Sequence, residues 1–191
     1  MTRLGLRSVY DLAARQGGYF TTAQAQAQGV SRRSLSYRVD SGDLIRVGHG
    51  IYRLVRYPSQ PFEDVIVACL WAGADSAASH ETALAIYELT DATPLKIHIT
   101  VPRPFRGRRR GVVIHHAPLE VRERSVRDGI PITTVARTLA DVALTSETAT
   151  VVSAAEQSLS RGLISVPGLK RLAEGDEVLE RALVQVSSQA G

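Results

Sequence analysis

Val9, Leu12, Ala13 and Gln16 are spaced as one helical face across residues 8–16, with Ser8 placed to cap the first turn. Gly17-Gly18 ends that pattern, and Tyr19-Phe20 follows as a short extended apolar pair. Thr21 or Thr22 caps a second helix over residues 23–28, and Gly29 supplies a tight turn. Val30 reads as a buried anchor. Ser31 caps a third helix whose apolar stripe is narrow, Leu35 with Val39 one turn later. Beyond Gly42, two short β-prone runs in residues 43–54 flank the segment Gly48-His49-Gly50, the pattern of a hairpin with a tight turn. Helix, turn, helix and hairpin in this order predict a winged helix-turn-helix over residues 1–56.

The patterning changes after residue 57. An apolar helix pattern over residues 61–71 is entered through Pro58 and Pro61, and Ser79 is placed to cap a helix carrying Leu84, Tyr87 and Glu88. Residues 95–101 alternate apolar and polar as a half-buried strand, and residues 112–116 are expected to return beside it as a hairpin. Helical patterns then follow one another: Leu139 and Val142 behind a Thr134 cap, and Val151, Val152, Ala155 and Leu159 up to Gly162. Ser165-Val166-Pro167 starts a short helix, and Asp176-Glu177 begins the last, placing acid at its positive end. Leu179, Leu183 and Val186 stripe that helix, either to complete the core or to face a partner. The expected class is α+β: the winged module, then a mixed domain over residues 57–191 with a short antiparallel sheet and several helices.

With 191 residues and 44% hydrophobic composition, a packed core needs neither disulfide nor metal. The single cysteine, Cys69, lies in the apolar run of residues 65–70, where a thiol behaves as a small core hydrophobe. No stretch approaches the roughly 20 apolar residues of a membrane span, and Met1-Thr2-Arg3-Leu4-Gly5 lacks a signal-peptide hydrophobic block, so a cytoplasmic protein is expected. The net charge of +4 decides little, but its distribution matters. Nine arginines against three aspartates fall in residues 1–56, and seven arginines against two glutamates in residues 103–124, whereas the stretches between and after are acidic. Two basic blocks suit a surface that neutralises phosphates.

On the third predicted helix, the side away from Leu35 and Val39 carries Arg33 and Tyr37 flanked by Ser34 and Ser36, with Arg32 and Arg38 nearer the sides. Such a helix reads base edges from its N-terminal half, which makes Arg33, Ser34 and Tyr37 the first candidates for the major groove. From the wing, Arg46, His49 and Arg53 are candidates for the DNA backbone or minor groove. No acid occurs between Asp11 and Asp40, which favours double-stranded DNA over a protein partner for this module. Arg103, Arg106, Arg108, Arg109 and Arg110 form the second block; it reads equally as a phosphate contact or a solvated hairpin tip, with a partner-facing surface as a third reading.

The remaining polar motifs point to no chemistry. His80 and Glu81 are adjacent, and the position one turn beyond His80 is Leu84, so a structural histidine is expected there. His115 and His116 face opposite sides of a strand and do not chelate one ion together. Neither a Gly-rich phosphate loop followed by Lys, nor paired metal ligands, nor a nucleophile elbow is present, and no cofactor, metal or enzymatic activity is expected.

The segments Gly18-Tyr19-Phe20-Thr21-Thr22, Gly29-Val30-Ser31, Gly42-Asp43-Leu44 and Gly48-His49-Gly50-Ile51-Tyr52 resemble the N-terminal domain of AbiEi-family antitoxins. Residues 78–89, 97–102 and 129–141 are similar to the block that follows the wing in actinobacterial members. The resemblance implies an antitoxin that represses its own operon by binding operator DNA and counteracts a nucleotidyltransferase-like toxin. It places antitoxin function in the part of the chain after the winged module. Some relatives continue into an endonuclease domain; residues 146–191 read as helices too short for a nuclease sheet, so DNA cleavage is not expected. A ligand-sensing regulator without a toxin, or an antitoxin that modifies its toxin enzymatically, are the alternatives.

Overall fold

Local capping sets the element boundaries in the first third of the chain. The computed structural model describes residues 3–189, with side chains from residue 6 to residue 185. Helix α1 (Arg3–Ala14) stops where Gly17 and Gly18 take left-handed backbone, and strand β1 (Tyr19–Thr21) follows. The start of α1 differs from expectation: Ser8 lies inside the helix instead of capping it. Leu6, Val9, Tyr10 and Ala13 extend the packed stripe a turn earlier, so burial carries the helix through Ser8. Thr21 caps α2 (Thr22–Ala27) reciprocally: its hydroxyl accepts from the Gln24 N–H at 3.1 Å, and the Gln24 side-chain oxygen accepts from the Thr21 N–H at 2.8 Å. Gly29 turns the chain at φ 78°, and the Val30 N–H donates back to the Ala25 carbonyl at 2.9 Å. Ser31 then caps α3 (Arg32–Asp40) through the Ser34 N–H.

Strands β2 (Leu44–Gly48) and β3 (Ile51–Leu54) form the wing, and β3 also pairs with β1, giving an antiparallel sheet of order β1-β3-β2. The ladder passes from Arg46↔Tyr52 to Gly48↔Ile51, leaving Val47 as a bulge next to the tip. Val9, Ala13, Phe20, Ala25, Val30, Leu35, Leu44, Tyr52 and Leu54 make one core, with the Phe20 and Tyr52 rings stacked at 5.7 Å. Helices then strands in this arrangement fit a winged helix-turn-helix. Helix α4 (Glu63–Ala72) packs on β1 and β3 and buries Cys69, whose thiol faces the Pro131 carbonyl at 3.8 Å. This first compact unit comprises Met1–Ser76 with Val126–Pro131, and so extends beyond residue 56.

The second unit, Ala77–Ser125 with Ile132–Gly191, is built on β4 (Ala77–Ala78), α5 (His80–Tyr87), β5 (Ile97–Val101) and β6 (Val112–His116). A 3-10 turn (Val121–Glu123) leads to β7 (Arg124–Arg127) and β8 (Ile130–Thr133), then α6 (Val135–Ala143), α7 (Thr148–Ser160), α8 (Val166–Ala173) and α9 (Glu177–Gln189). The sheet order is β6-β5-β4-β8-β7, and the sheet is mixed. In place of the expected hairpin of residues 95–116, β5 and β6 run parallel, Ile97 opposite Val112 and Val101 opposite His116. Alternation marks a strand without its direction, and the arginine-rich segment of residues 102–111 is long enough to carry the chain back past β5. Helix α9 packs on α7 and α8 through buried Leu179 and Ala182, which joins it to this unit's core; the Val186 side chain, like Met1 and Thr2, lies outside the described residues. Among the described residues no helix is long and apolar enough to cross a membrane.

Candidate nucleic-acid interface

Ser31 starts α3 so that its first turn carries exposed Arg32 and Arg33, and one turn later it carries Ser36 and Tyr37. Tyr37 is 70% exposed, an unusual position for an aromatic ring in a soluble domain. Arg32, Arg33 and Tyr37 make no side-chain hydrogen bond or ion pair among the described residues, so their donors are available to a ligand. Ser34, in contrast, is only 7% exposed and sits beside buried Leu35, so the outward face of α3 loses it. The Ser34 Oγ is buried without a hydrogen-bond partner among the described residues, so the side chain is turned inward beside Leu35.

The wing residues have different fates. His49 is exposed at the tip, and it lines one concave surface with Arg32, Thr22 and Gln26, bringing the tip of the hairpin to the start of α3. Arg46 is exposed, and its Nε makes a long contact of 3.4 Å to the Gly48 carbonyl. Arg38 is largely spent on Asp43, its Nη1 lying 2.8 Å from the carboxylate, which closes the connection from α3 to β2. Arg53 does not present itself to a ligand at all. Its side chain is 12% exposed, its Nη2 donates to the Tyr57 carbonyl at 3.0 Å and to Glu63 at 3.2 Å, and its guanidinium lies over the Tyr19 ring. Strand β3 is central in its sheet, and the face that carries Arg53 is covered by the segment leading into α4. Glu63 is held below the ordinary carboxylate range, because hydrogen bonds from Tyr19, the Gln60 N–H and Arg53 outweigh the opposing effect of burial. Burial and the Glu63 carboxylate in turn push the Tyr19 hydroxyl up to about 12. The outward-facing set is therefore Arg32, Arg33, Ser36, Tyr37, Arg46 and His49.

Arg103, Arg106, Arg108, Arg109 and Arg110 are all exposed on the connection between β5 and β6. Arg103, Phe105 and Arg106 line a shallow depression there with His116, whose Nδ1 meets the Arg103 carbonyl at 3.3 Å.

The same unit contains a cluster that adjacent-residue reasoning does not reach. His80, His98 and His115 place one ring nitrogen each within 4.8 Å of one another, the only such group of potential metal ligands among the described residues. Burial pushes His80 down to about 4, with His115 adding to the effect, and burial lowers His98 and His115 as well, so the environment favours the neutral form of each imidazole. The signal lay in the alternation of the two strands: His98 lies opposite Val113 and Thr100 opposite His115, which puts His98 and His115 on one face, with His116 on the other.

Residues 7–55 match the family model of transcriptional regulators described as AbiEi antitoxins, the family that the motifs of this segment resemble. The match spans β1, α2, α3 and the wing, and it ends before α4. No curated protein matches the chain.

Proposed function

From the family match of residues 7–55 we propose that this protein is an antitoxin that binds double-stranded operator DNA, represses its own operon and counteracts a nucleotidyltransferase-like toxin. The observation that carries the DNA-binding half is the outward face of α3. Arg32, Arg33 and Tyr37 project from the second helix of a helix-turn-helix, with His49 beside them at the wing tip. An arginine fork is suited to guanine edges or phosphates, and the tyrosine hydroxyl to phosphate, while its ring can meet a thymine methyl. Ser36 and Arg46 extend the same polar surface. Arg38 and Arg53 support it from behind by holding the helix-to-wing connection and the root of β3.

The toxin half rests on the family resemblance, with the second unit as its seat. Fluorescence anisotropy on the region upstream of the protein's own operon, at stated salt, tests the first half. Preference for that region over random duplex is expected, and equal affinity for both would refute specific repression. Co-expression with the neighbouring toxin tests the second half: growth should be restored, and persistent arrest with soluble antitoxin present would refute it.

A further inference from the structure

We propose that His80, His98 and His115 bind one divalent transition-metal ion of the zinc class, with the Glu81 carboxylate alongside as its nearest negative charge. All four residues belong to the second unit, so the site stands whether or not α3 binds DNA.

The sheet assembles the ligands. Ala78 of β4 lies opposite Ile99 of β5, and the Ser79 N–H donates to the His98 carbonyl at 3.0 Å, which sets His80 just beyond the end of β4 and beside His98. His80 holds a left-handed φ of 52°, which non-glycine residues rarely adopt, and its ring stacks on that of His115 at 3.6 Å between centroids. Parallel pairing of β5 with β6 brings His115 diagonally against His98, so that His98 Nδ1 and His115 Nε2 stand 3.0 Å apart. A tetrahedral zinc with nitrogen ligands at about 2.0–2.1 Å needs those nitrogens roughly 3.3 Å from one another. One pair stands close to that spacing, and the His80 nitrogen lies within 4.8 Å of both.

Hydrogen bonding alone leaves this cluster unsatisfied. His98 Nδ1 faces both His115 Nε2 and, at 3.2 Å, Glu81 Oε2. If Nδ1 carries the proton and gives it to Glu81, nothing remains for His115; if it accepts from His115, its lone pair points at the carboxylate. Glu81 Oε2 is accordingly buried without a hydrogen-bond partner, although its other oxygen is fixed by the Ser146 hydroxyl at 2.7 Å. A divalent cation in place of the single proton accepts the lone pairs of all three imidazoles and offsets the charge of the neighbouring carboxylate. Partners suited to orient a ligating imidazole are also present. Ser79 Oγ lies 3.0 Å from His80 Nδ1, itself receiving the Thr100 hydroxyl at 2.8 Å, and Asp141 Oδ2 stands 4.0 Å from the same ring nitrogen. Three imidazoles, with no thiolate, suit zinc and its neighbours better than magnesium or calcium. The ion ties α5 to β5 and β6.

The test uses the untagged full-length chain, stripped with chelator and titrated with zinc chloride by calorimetry, with bound metal counted by mass spectrometry. One zinc per chain is expected. His98→Ala and His115→Ala should each abolish stoichiometric binding, His116→Ala and His49→Ala should leave it intact, and Glu81→Gln should weaken it by about 10- to 100-fold. Cobalt chloride should give the visible absorption of a tetrahedral site in the wild type. Zinc should also raise the wild-type unfolding temperature, a readout independent of whether any variant folds. Binding well below one equivalent, no rise in wild-type stability, or the same stoichiometry in a folded His115→Ala variant would each overturn the proposal.

Discussion

Arg33 and Arg53 are both arginines of the winged module, and replacing each by alanine should have opposite consequences. Arg53→Ala removes a guanidinium that is 12% exposed and that donates through Nη2 to the Tyr57 carbonyl, the Ser59 hydroxyl and Glu63 at 3.0, 3.1 and 3.2 Å. A hydrogen bond involving a charged group contributes about 1.5–3 kcal/mol net. These three share one nitrogen, and the Glu63 left behind is partly hydrated at 28% side-chain exposure, so they do not add; a loss of about 2–3 kcal/mol is expected. For a unit of this size that corresponds to roughly 10–20 °C in unfolding temperature. Arg33→Ala takes away an exposed side chain that has no partner among the described residues, and its effect on stability should stay within about 0.5 kcal/mol. DNA affinity should reverse the order. Arg33→Ala should lower the slope of log K against log salt by about 0.9 if it neutralises a phosphate, or cost about 1–3 kcal/mol at one base pair if it reads a guanine. Arg53→Ala, assayed well below its melting temperature, should leave the slope as it is. Circular-dichroism melts and anisotropy titrations between about 50 and 200 mM salt measure both quantities. A folded Arg53→Ala protein with unchanged melting temperature and a slope lower by about one unit would refute the assignment of Arg53 to the fold and not to the interface.

Gly129 follows Asp128 in a turn where both residues have positive φ, and a Cβ on it would stand 2.5 Å from the Gly17 nitrogen. Gly129→Ala should therefore destabilise the first unit by about 2–4 kcal/mol in urea unfolding, and an unchanged midpoint would contradict that contact. Tyr19, with its hydroxyl raised to about 12, supplies stability that is complete below the ordinary phenol value of about 10 and is lost as pH climbs from there through about 12. Wild-type stability should fall over that interval, and the fall should be shallower in Tyr19→Phe; identical profiles would show that Tyr19 does not titrate in this way. In the second unit Arg137 bonds Asp141 at 2.7 Å, Glu123 at 2.9 Å and the Pro118 carbonyl at 2.8 Å. Arg137→Ala leaves nearly buried Asp141 without its counter-charge and should cost about 3–5 kcal/mol, read as a lower melting temperature; a loss under about 1 kcal/mol would mean that solvent reaches the site.

Sequence alone determined the features whose hydrogen bonds close within three or four residues. Thr21 with Gln24, the left-handed Gly29, Ser31 with Ser34 and Thr134 with Arg137 specify where helices start and turn, and each is visible in a short window because both partners lie in it. The periodic burial of Leu35 and the alternation of residues 97–101 were legible for the same reason. Tertiary structure decided whatever depended on a partner distant along the chain. Whether Arg53 faces DNA or a carboxylate depended on Glu63, ten residues later, and whether Ser34 is outside or inside depended on how closely α3 packs. Strand direction decided most. Alternation has no sign, so residues 112–116 read the same in either sense, yet only the parallel register sets His115 beside His98 and, through β4, near His80. Three histidines separated by 18 and 17 positions make no motif in one dimension. They become a site because strand pairing, a nonlocal interaction that chain spacing does not encode, brings their ring nitrogens together.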